Sequence, residues 1–440
     1  MINWRKPTIF ALLYLSGSKI PRNLKIIQKL AKSSKREIKK YQEEKLKKIL
    51  LHAYKNVPYY HQVLAESGVI TKSGKVDLKK FFNIPTLTKD IIRKEGKNLH
   101  SSDYKRRGHY KNTSGGSTGE PVVFIQDKEY EDVNVIANKI YFNRMLGKEP
   151  GEREINLWGS DRDIKRNSQG FKNDLINILY NRRFLNAFEL SDKKLDHFIK
   201  IINAFKPISI WSYVESLDEI SKYVEEKNMR MYSPKFIITT AGTLYPEMKE
   251  RAQRVFNCPI INQYGSREVG PIAIQCLQRV GLHVFPWSHY LEIIDGEVVV
   301  TCLTNFSMPL IRYKIGDEAT KSKKVTCKCG TPTLFFKDIK GRTISHFIKE
   351  TGEKIHGQYF IHLFYYRDWV KKFQIVQNEI NQIECKIVGK KNGFEMYKIS
   401  RNIKRIMGNN CQVKFCFLKE IRPLDNGKFI YTICKLDHKK

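Results

Sequence analysis

The sequence lacks a long hydrophobic run, a disulfide framework and internal repeats. Its apolar stretch Thr8–Leu15 is eight residues long, whereas a transmembrane helix needs about 20. Its nine cysteines are scattered through 440 residues without the spacing of a disulfide scaffold. These absences exclude a membrane-spanning protein and a small secreted scaffold. The cysteines fit a reducing, cytoplasmic compartment best.

Acidic residues are scarce. The chain has 45 Asp and Glu against 79 Lys and Arg, which gives a net charge of +34. Such a field attracts nucleic acid, anionic lipid or a small polyanion such as ATP or coenzyme A. No RRM, KH, zinc-finger or helix-turn-helix signature is present, so we expect no nucleic-acid partner. Two alternatives stay open for the basic N-terminus, which is either a helix packed on its own domain or a peripheral arm on the membrane.

The most informative stretch is Asn112–Val122, which reads NTSGGSTGEPV. Glycine lets backbone N–H groups approach an anion closely, and hydroxyls add donors for phosphate oxygens. A Walker A loop would end in Gly-Lys-Ser/Thr, which this stretch lacks. Taken alone, it is either a phosphate-holding loop of another class or a flexible turn. The candidate ligand-binding residues are Ser114, Gly115, Gly116, Ser117, Thr118 and Gly119.

Alternating strand and helix patterns fill the middle of the chain. Pro207–Tyr213, Lys235–Thr240 and Pro259–Gln263 are predicted strands, and Glu215–Asn228 and Pro246–Phe256 are predicted helices between them. This β-α-β-α-β order predicts a parallel, doubly wound sheet.

Small and aromatic residues follow these predicted strands. Ligands of doubly wound sheets bind beyond the carboxyl ends of the strands, where Ala241-Gly242 and Tyr264-Gly265 fall. Trp211 and Tyr213 end the first strand, and they either line an aryl pocket or fill the core.

The pattern then becomes antiparallel. Asp295-Gly296 lies between two apolar runs and predicts a hairpin. The last hundred residues predict a compact α+β unit that begins after Arg342.

Four short motifs follow one another in order. They are residues 113–121; Tyr264-Gly265-Ser266-Arg267-Glu268; Arg312-Tyr313-Lys314-Ile315-Gly316-Asp317 with Gly341-Arg342; and Arg422-Pro423-Leu424-Asp425-Asn426-Gly427-Lys428. Two N-terminal segments, Lys55–Tyr60 and Ile84–Lys89, precede these motifs and match the same pattern. Together the motifs resemble the adenylate-forming superfamily, in the branch of phenylacetate–coenzyme A ligases and their capsule-biosynthesis (CapK-like) relatives.

The resemblance implies an α/β fold with two domains. Residues 1–342 would form a large domain that combines a doubly wound parallel sheet with antiparallel sheet elements, and residues 343–440 a small mobile α+β domain. The implied reaction joins a small-molecule carboxylic acid to ATP as an acyl-adenylate, with Mg²⁺. Coenzyme A or another acceptor would then take the acyl group. The resemblance places this reaction in the cytoplasm, with a role in capsular or surface polysaccharide biosynthesis.

The resemblance also implies roles in nucleotide binding. Residues 114–119 would hold the β- and γ-phosphates of ATP. Tyr264, followed by Gly265, would lie against the adenine ring, with Ala241 and Gly242 as the opposite wall. Asp317 would accept hydrogen bonds from the ribose hydroxyls.

Three further residues would act on the phosphates. Glu268 would bind Mg²⁺, which prefers carboxylate oxygens. Arg342 would reach the ribose or a phosphate. Lys428, on the mobile domain, would approach the α-phosphate and the attacking carboxylate.

The chain also departs from the family pattern. Val122 follows Pro121 where the family often has lysine, and Arg267 stands in place of threonine. The usual acidic pair after Gly341-Arg342 is replaced by residues 343–345, Thr-Ile-Ser. These departures leave an alternative open, namely a catalytically weak or inactive member that acts as a membrane-associated assembly protein of a polysaccharide locus.

A second group of residues is typical of a metal site. Cys327 and Cys329 form a Cys-x-Cys pair before a glycine, and Cys276 and His283 lie about 45 residues upstream. Three thiolates and one imidazole would satisfy a tetrahedral structural Zn²⁺. The alternative is four reduced residues without a metal.

Overall fold

The computed structural model of the chain describes residues 3–71, 73–114, 122–158, 171–187, 190, 192–242, 244–323, 327–340, 346–364, 367, 369–421 and 431–436. Contacts group the described residues into two compact units. Unit 1 holds those of 1–114, 122–151 and 261–341, and unit 2 holds those of 152–260 and 342–440. The domain boundary at residue 342 stays a prediction.

The helices are α1 (Arg5–Leu15), α2 (Ile20–Leu30), α3 (Lys35–Asn56), α4 (Pro58–Glu66), α5 (Lys89–Glu95), α6 (Lys128–Tyr130), α7 (Asn138–Met145), α8 (Phe171–Leu179), α9 (Asp192–Phe205), α10 (Val214–Glu226), α11 (Pro246–Phe256), α12 (Gly357–Phe364) and α13 (Gly393–Met407). A π-helical segment, Glu131–Ala137, joins α6 to α7. Short 3₁₀ helices cover Leu78–Asn83, Gly96–Leu99 and Tyr104–Arg107. Among the described residues, no helix is long and apolar enough to cross a membrane.

The strands are β1 (Tyr110–Thr113), β2 (Val123–Gln126), β3 (Glu154–Trp158), β4 (Arg182–Asn186), β5 (Ser209–Tyr213), β6 (Phe236–Thr240), β7 (Ile260–Ser266), β8 (Gly270–Gln275), β9 (Leu282–Val284), β10 (His289–Ile294), β11 (Glu297–Cys302), β12 (Tyr313–Lys321), β13 (Leu334–Lys340), β14 (His346–Ile348), β15 (Lys354–His356), β16 (Val370–Glu379), β17 (Gln382–Gly389), β18 (Gln412–Phe417) and β19 (Thr432–Cys434).

Local sequence signals explain several element ends. A capping box between Ser34 and Glu37 starts α3, because each side chain satisfies a free backbone N–H of the other. Proline opens α11, and Asn257 ends it in the left-handed conformation. The β10–β11 hairpin turns at Asp295-Gly296, where both residues have positive φ.

Unit 1 is built on an antiparallel sheet. Its strands pair in the order β10-β11-β12-β13-β9-β8-β7. A separate hairpin, β1–β2, flanks the loop that begins after Ser114. One face of α3 packs into the main core of this unit through Leu46, Ile49, Leu50 and Ala53. The unit thereby fixes the strands and turns that carry Tyr264, Glu268 and Asp317 and the four predicted metal ligands.

Unit 2 contains a parallel sheet in the order β6-β5-β3-β4. Helices α9, α10 and α11 bury apolar side chains against these strands. The strands at 209–213 and 236–240 and the helix α11 confirm the parallel βαβ prediction for this region. The predicted third strand, β7, runs to Ser266, because pairing with β8 extends it. Tyr264 and Gly265 therefore lie within that strand and not beyond its end.

The C-terminal residues of unit 2 form an α+β layer. Strands β18-β17-β16-β19 make a four-stranded sheet, and α12 and α13 pack on it. Tyr213, at the end of β5, belongs to the same core and lies 4.7 Å from Trp158 between ring centroids. Trp211 and Tyr213 are 6% and 7% exposed, and the choice between core and aryl pocket stays a prediction.

Candidate active site and candidate metal centre

A short segment before α5 is tied to β12. The Leu87 N–H donates to the Arg312 carbonyl at 3.0 Å, and the Lys314 N–H donates to the Leu87 carbonyl at 2.9 Å. Thr88 caps the first turn of α5 with its side chain. Pairing and cap together place Lys89 in the interior of unit 1, where its side chain is 11% exposed.

Glu268 lies in the turn between β7 and β8 and is buried. Its carboxylate accepts a hydrogen bond from the Tyr313 hydroxyl at 3.1 Å, and the Lys89 ammonium lies 3.7 Å away. Burial alone would raise the pKa of Glu268. The Lys89 charge, a backbone N–H and the Tyr313 hydroxyl outweigh burial and lower it. Glu268 is therefore an anion in a dry site, the form that a hard cation binds.

Tyr264 and Asp317 come together on neighbouring parts of unit 1. The Tyr264 hydroxyl donates to Asp317 Oδ2 at 3.0 Å. The pairing of β12 with β11 shifts register between residues 314 and 318, and Gly316 has a φ of 88° within this bulge. Bulges of this kind redirect a side chain from the regular strand direction. The structure thus brings Tyr264, predicted to contact adenine, together with Asp317, predicted to bind the ribose.

Gly265 has a packing reason to be glycine. A Cβ at this position would lie 2.5 Å from the Gly270 carbonyl oxygen and 2.9 Å from Pro271 Cα. Backbone atoms cannot give way as a flexible side chain can, so a larger residue would separate β7 from β8. The glycine predicted to contact a nucleotide also holds the Glu268 turn in shape.

Ser114 closes the base of the glycine-rich loop. Its N–H donates to the Val122 carbonyl at 2.9 Å, and its hydroxyl accepts from the Val122 N–H at 2.9 Å. Both residues are 1% exposed. The hydroxyl predicted to bind phosphate therefore fixes the two ends of the loop. Gly115, Gly116, Ser117, Thr118 and Gly119 lie outside the described residues.

Gln126, at the end of β2, connects this hairpin to the Glu268 turn. Its amide nitrogen donates to the carbonyls of Arg267 at 2.8 Å and Glu268 at 3.2 Å. Its amide oxygen accepts from Asn112 of β1 at 3.0 Å. Gln126 is 1% exposed. One buried side chain thus joins both strands that flank the loop to the backbone that carries Glu268.

The next carbonyl of the turn is also held. The Val269 oxygen accepts from Asn134 at 3.1 Å and from Nε2–H of His289 at 2.8 Å. Nδ1 of His289 lies 3.0 Å from the Ser288 hydroxyl. Burial lowers the pKa of His289 to about 4, so the ring is neutral near pH 7. Three successive carbonyls, 267 to 269, thus accept hydrogen bonds from buried side chains.

Arg312, the first residue of the third motif, has a structural partner. Its guanidinium makes a two-point ion pair with Glu292 at 2.9 and 3.1 Å. It also donates to the carbonyls of Phe82 and Ile84. These bonds hold the segment that precedes Lys89 against β12.

In unit 2, Ala241 and Gly242 directly follow β6, as predicted. Ala241 has a φ of 65°, which is rare for a residue with a Cβ and concentrates at functional sites. Arg342 and Lys428 lie outside the described residues.

The four predicted metal ligands converge in unit 1. Their donor atoms all lie within 4.8 Å of one another. Sγ of Cys276 is 3.6 Å from Sγ of Cys327, and Sγ of Cys329 is 3.4 Å from Nε2 of His283. A tetrahedron with Zn–S bonds of about 2.3 Å has an edge of about 3.8 Å. The spacing of these donors therefore fits one Zn²⁺.

Local structure prepares these donors. His283 lies on β9, which pairs with both β8 and β13. The Gly330 N–H donates to the Cys327 carbonyl at 3.0 Å, and Gly330 has a φ of 79°, so the Cys-x-Cys pair forms a tight knuckle. Thr333 Oγ1 lies 3.4 Å from Nδ1 of His283, which suits Nδ1–H as donor and Nε2 as the metal ligand.

Burial disfavours the charged forms of Cys276 and His283. It raises the pKa of Cys276 to about 12 and lowers that of His283 to about 4. A metal ion would reverse the first effect, because it binds the thiolate.

Sequence reasoning missed four residues of these sites: Lys89, Gln126, Tyr313 as a partner of Glu268, and Thr333. Lys89 and Tyr313 lie in sequence motifs that carry the family resemblance, and this position was the only sequence signal for their role in the site. Gln126 and Thr333 follow from tertiary contacts alone.

Known proteins resemble this chain along most of its length. A family model described as CapK C-terminal domain matches residues 347–435. Protein CapK of Staphylococcus aureus is 26% identical over 404 residues, which cover 89% of this chain and 88% of that protein. The phenylacetate-coenzyme A ligase of Thermus thermophilus is 26% identical over 335 residues, which cover 70% of this chain and 71% of that protein.

A solved structure shares the fold. It is 2-hydroxyisobutyryl-CoA ligase in complex with 2-HIB-AMP and CoA, at a TM-score of 0.60 and 14% identity, covering 92% of this chain and 91% of that chain. This likeness confirms the predicted fold class. The sequence relatives show that the chain is a homologue of protein CapK and of phenylacetate-coenzyme A ligases, and its residues 347–435 match the CapK C-terminal domain.

Proposed function

We propose that this chain is an ATP- and Mg²⁺-dependent ligase that converts a carboxylic acid to its acyl-adenylate and transfers the acyl group to coenzyme A. One observation carries the proposal. Glu268 is kept anionic beside Lys89 and Tyr313, while Tyr264 and Asp317 are joined in the same unit. Unit 1 thus has one carboxylate, Glu268, for binding a metal and a second carboxylate, Asp317, for binding a ribose. The relation to the phenylacetate-coenzyme A ligase of Thermus thermophilus supports the reaction class.

The first half-reaction is a displacement at phosphorus. A carboxylate oxygen of the substrate attacks the α-phosphorus of ATP, the α–β phosphoanhydride bond breaks, and pyrophosphate leaves. Glu268 would hold Mg²⁺, which neutralises phosphate charge when bound. Asp317 would fix the ribose. By the family pattern, Lys428 and Arg342 would stabilise the charge that develops at the α-phosphate.

The second half-reaction is acyl transfer. The coenzyme A thiolate attacks the acyl carbonyl, the bond to the AMP oxygen breaks, and AMP leaves. In the family pattern the acidic pair that residues 343–345 replace belongs to the hinge between the half-reactions, so we expect this chain to differ more in this half-reaction than in adenylation. The alternative function, a weak or inactive member that serves polysaccharide assembly, predicts binding of ATP without turnover.

Pyrophosphate exchange tests the proposal. Labelled pyrophosphate should enter ATP when the protein meets one member of a panel of aryl, fatty and hydroxy acids. Lys428→Ala and Asp317→Asn should each lower this exchange by about 100-fold or more. Lys419→Ala, at an exposed lysine near Lys428 in sequence, is the matched control. If calorimetry detects no ATP binding and no acid supports exchange, the ligase proposal is wrong.

The cysteine cluster is proposed as a structural zinc site. Cys276, His283, Cys327 and Cys329 supply a closed set of four ligands, and a structural zinc leaves no position open for substrate. Its proposed role is to clamp β8, β9 and the segment before β13 together.

The proposal also places the enzyme in the cytoplasm, where both ATP and coenzyme A are available. The relation to CapK supports a role for the product in capsular or surface polysaccharide biosynthesis. Contact with the inner face of the cell membrane, through the basic N-terminus, belongs to the same proposal.

A further inference from the structure

Helix α1 is apolar on both of its sides. Ile9 is 1% exposed, and Phe10 and Leu13 pack on the small core formed with α2 and α7. The side that faces solvent is apolar as well. Its most exposed large residues are Trp4 at 56%, Leu12 at 49%, Tyr14 at 65% and Leu15 at 84%. A helix that is apolar all round is normally buried, so this exposed side calls for a partner.

The charged residues in and next to this helix in the sequence are all cationic. Residues 1–36 contain nine Lys and Arg and no Asp or Glu, and the first acidic residue is Glu37. On α2, Arg22, Lys25 and Lys29 are exposed at helical spacing, while Leu24 and Ile27 are buried on the opposite side.

An anionic lipid surface fits both features. Amphipathic segments bind membranes through an apolar face that enters the boundary between headgroups and acyl chains, aided by cations that attract acidic lipids. Trp and Tyr side chains favour that boundary, and Trp4, directly before α1, and Tyr14, on α1, are both exposed. A second copy of the chain fits poorly, because two such surfaces would bring like charges together.

We infer that α1 and α2 form a lipid-docking surface, in which the exposed side of α1 inserts into an anionic bilayer and the cations of α2 bind lipid phosphates. This names the surface for the membrane contact included in the proposed function. It does not depend on ligase chemistry, since lipid binding can be measured without ATP.

Sedimentation with vesicles tests the inference. The full chain should sediment with vesicles of phosphatidylglycerol and phosphatidylcholine, should bind vesicles of phosphatidylcholine alone at least tenfold more weakly, and should be released by salt. The double variant Leu12→Ser/Leu15→Ser should lower binding by about tenfold or more. The triple variant Arg22→Gln/Lys25→Gln/Lys29→Gln should lower it by a similar factor.

Two controls match these variants. Leu175→Ser/Ile178→Ser removes a similarly exposed apolar pair, at 51% and 64%, with the same spacing on α8. Arg401→Gln/Lys404→Gln/Arg405→Gln removes three exposed cations of α13. Both should bind vesicles as the unmodified chain does. Circular dichroism and thermal unfolding should be unchanged in all four variants, because the altered side chains are exposed.

Several results would overturn the inference. They are no binding to anionic vesicles at low salt, equal losses in the controls, or a loss in the α2 variant with none in the α1 variant. A dimer in sedimentation velocity that Leu12→Ser/Leu15→Ser dissolves would also overturn it, because a second copy would then cover α1. Failure here leaves pyrophosphate exchange intact, whereas failure of the ligase proposal leaves lipid binding intact.

Discussion

The turn that carries Glu268 and the cysteine cluster lie on the same antiparallel sheet but manage buried charge differently. At Glu268, Lys89 and Tyr313 stabilise the anion, and the backbone of the turn is held by Gln126, Asn134 and His289. At the cluster, burial raises the pKa of Cys276 and lowers that of His283, which keeps both groups neutral.

We therefore expect the Glu268 turn to keep its structure without a ligand and the cysteine cluster to be stabilised by a bound metal. The Glu268 turn keeps its shape through protein groups alone, so removal of Mg²⁺ should affect chemistry and leave stability nearly unchanged. The cluster brings four metal-ligand donor atoms together, so a metal bound there would contribute to folding.

Loss of the proposed zinc should have the largest effect. Cys327→Ser removes one of four ligands, so bound zinc should fall from about one per chain to near zero. The free energy of unfolding should fall by about 4 kcal/mol or more, because the knuckle and β9 lose their clamp. Metal analysis and urea unfolding measure both quantities.

Cys416→Ser is the control for this change. Cys416 is partly exposed on β18, and its thiol bonds to Glu384 outside the cluster. This variant should keep its zinc and most of its stability. The zinc proposal is wrong if the unmodified chain purifies without zinc or if Cys327→Ser unfolds like Cys416→Ser.

Removal of the Glu268 charge should come next. Glu268→Gln should lower adenylate formation by about 100- to 1,000-fold, because the metal loses its carboxylate. It should also lower the free energy of unfolding by about 3 kcal/mol, because the buried Lys89 ammonium loses the opposite charge of Glu268.

The double variant Glu268→Gln/Lys89→Met separates these effects. It should regain much of the lost stability, since both charges of the buried pair are removed together, but none of the activity. Urea unfolding and pyrophosphate exchange measure the two. Activity close to that of the unmodified chain in either variant would contradict a metal-binding role for Glu268.

Sequence reasoning succeeded where a local signal decides the structure. Helix α11 has the predicted bounds, 246–256, because proline at its start and Asn257 at its end act within one turn. The Asp295-Gly296 hairpin is found for the same reason. The cysteine cluster was predicted because Cys-x-Cys is itself a local pattern.

Contacts between distant residues explain what was missed. Gln126 acts on a carbonyl 141 residues away along the chain, and no local pattern marks that partner. Lys89 lies in a phrase that only indicated the family, and its ion pair with Glu268 depends on the pairing of Leu87 with β12. The Ser114 hydroxyl accepts a hydrogen bond from Val122, because strand pairing brings the loop ends together, and its predicted role in holding phosphate stays a prediction.

The pH dependence of stability tests whether burial alone keeps a histidine neutral at a position outside the proposed metal site. His289 is buried as His283 is, but lies outside the cysteine cluster. Its folded pKa of about 4 lies below the unfolded value of about 6.5. Between these values the unfolded chain binds more protons, so acid favours unfolding. The free energy of unfolding should therefore decrease from pH 7 to pH 4, with up to about 3 kcal/mol from this ring.

Urea unfolding across that pH range, with His289→Gln as comparison, isolates this contribution. The variant should be less stable at pH 7, because a bond to the Val269 carbonyl is lost, and its stability should depend less on pH. An equal pH dependence in both proteins would contradict a neutral buried imidazole at this position.

Substitution of Gln126 should have the smallest effect and tests whether the Glu268 turn is preformed. Gln126→Leu removes the two donors to the Arg267 and Glu268 carbonyls, so the turn loses its link to the β1–β2 hairpin. The KM for MgATP should rise about tenfold, equivalent to roughly one net hydrogen bond. Gln377→Leu is the control, because Gln377 is equally buried and also donates to two carbonyls, in the C-terminal sheet. Both variants should lose similar stability, since each leaves two carbonyls unpaired, but only Gln126→Leu should change the KM. An equal KM in both would mean that Gln126 only packs the core, and that the turn holds Glu268 without it.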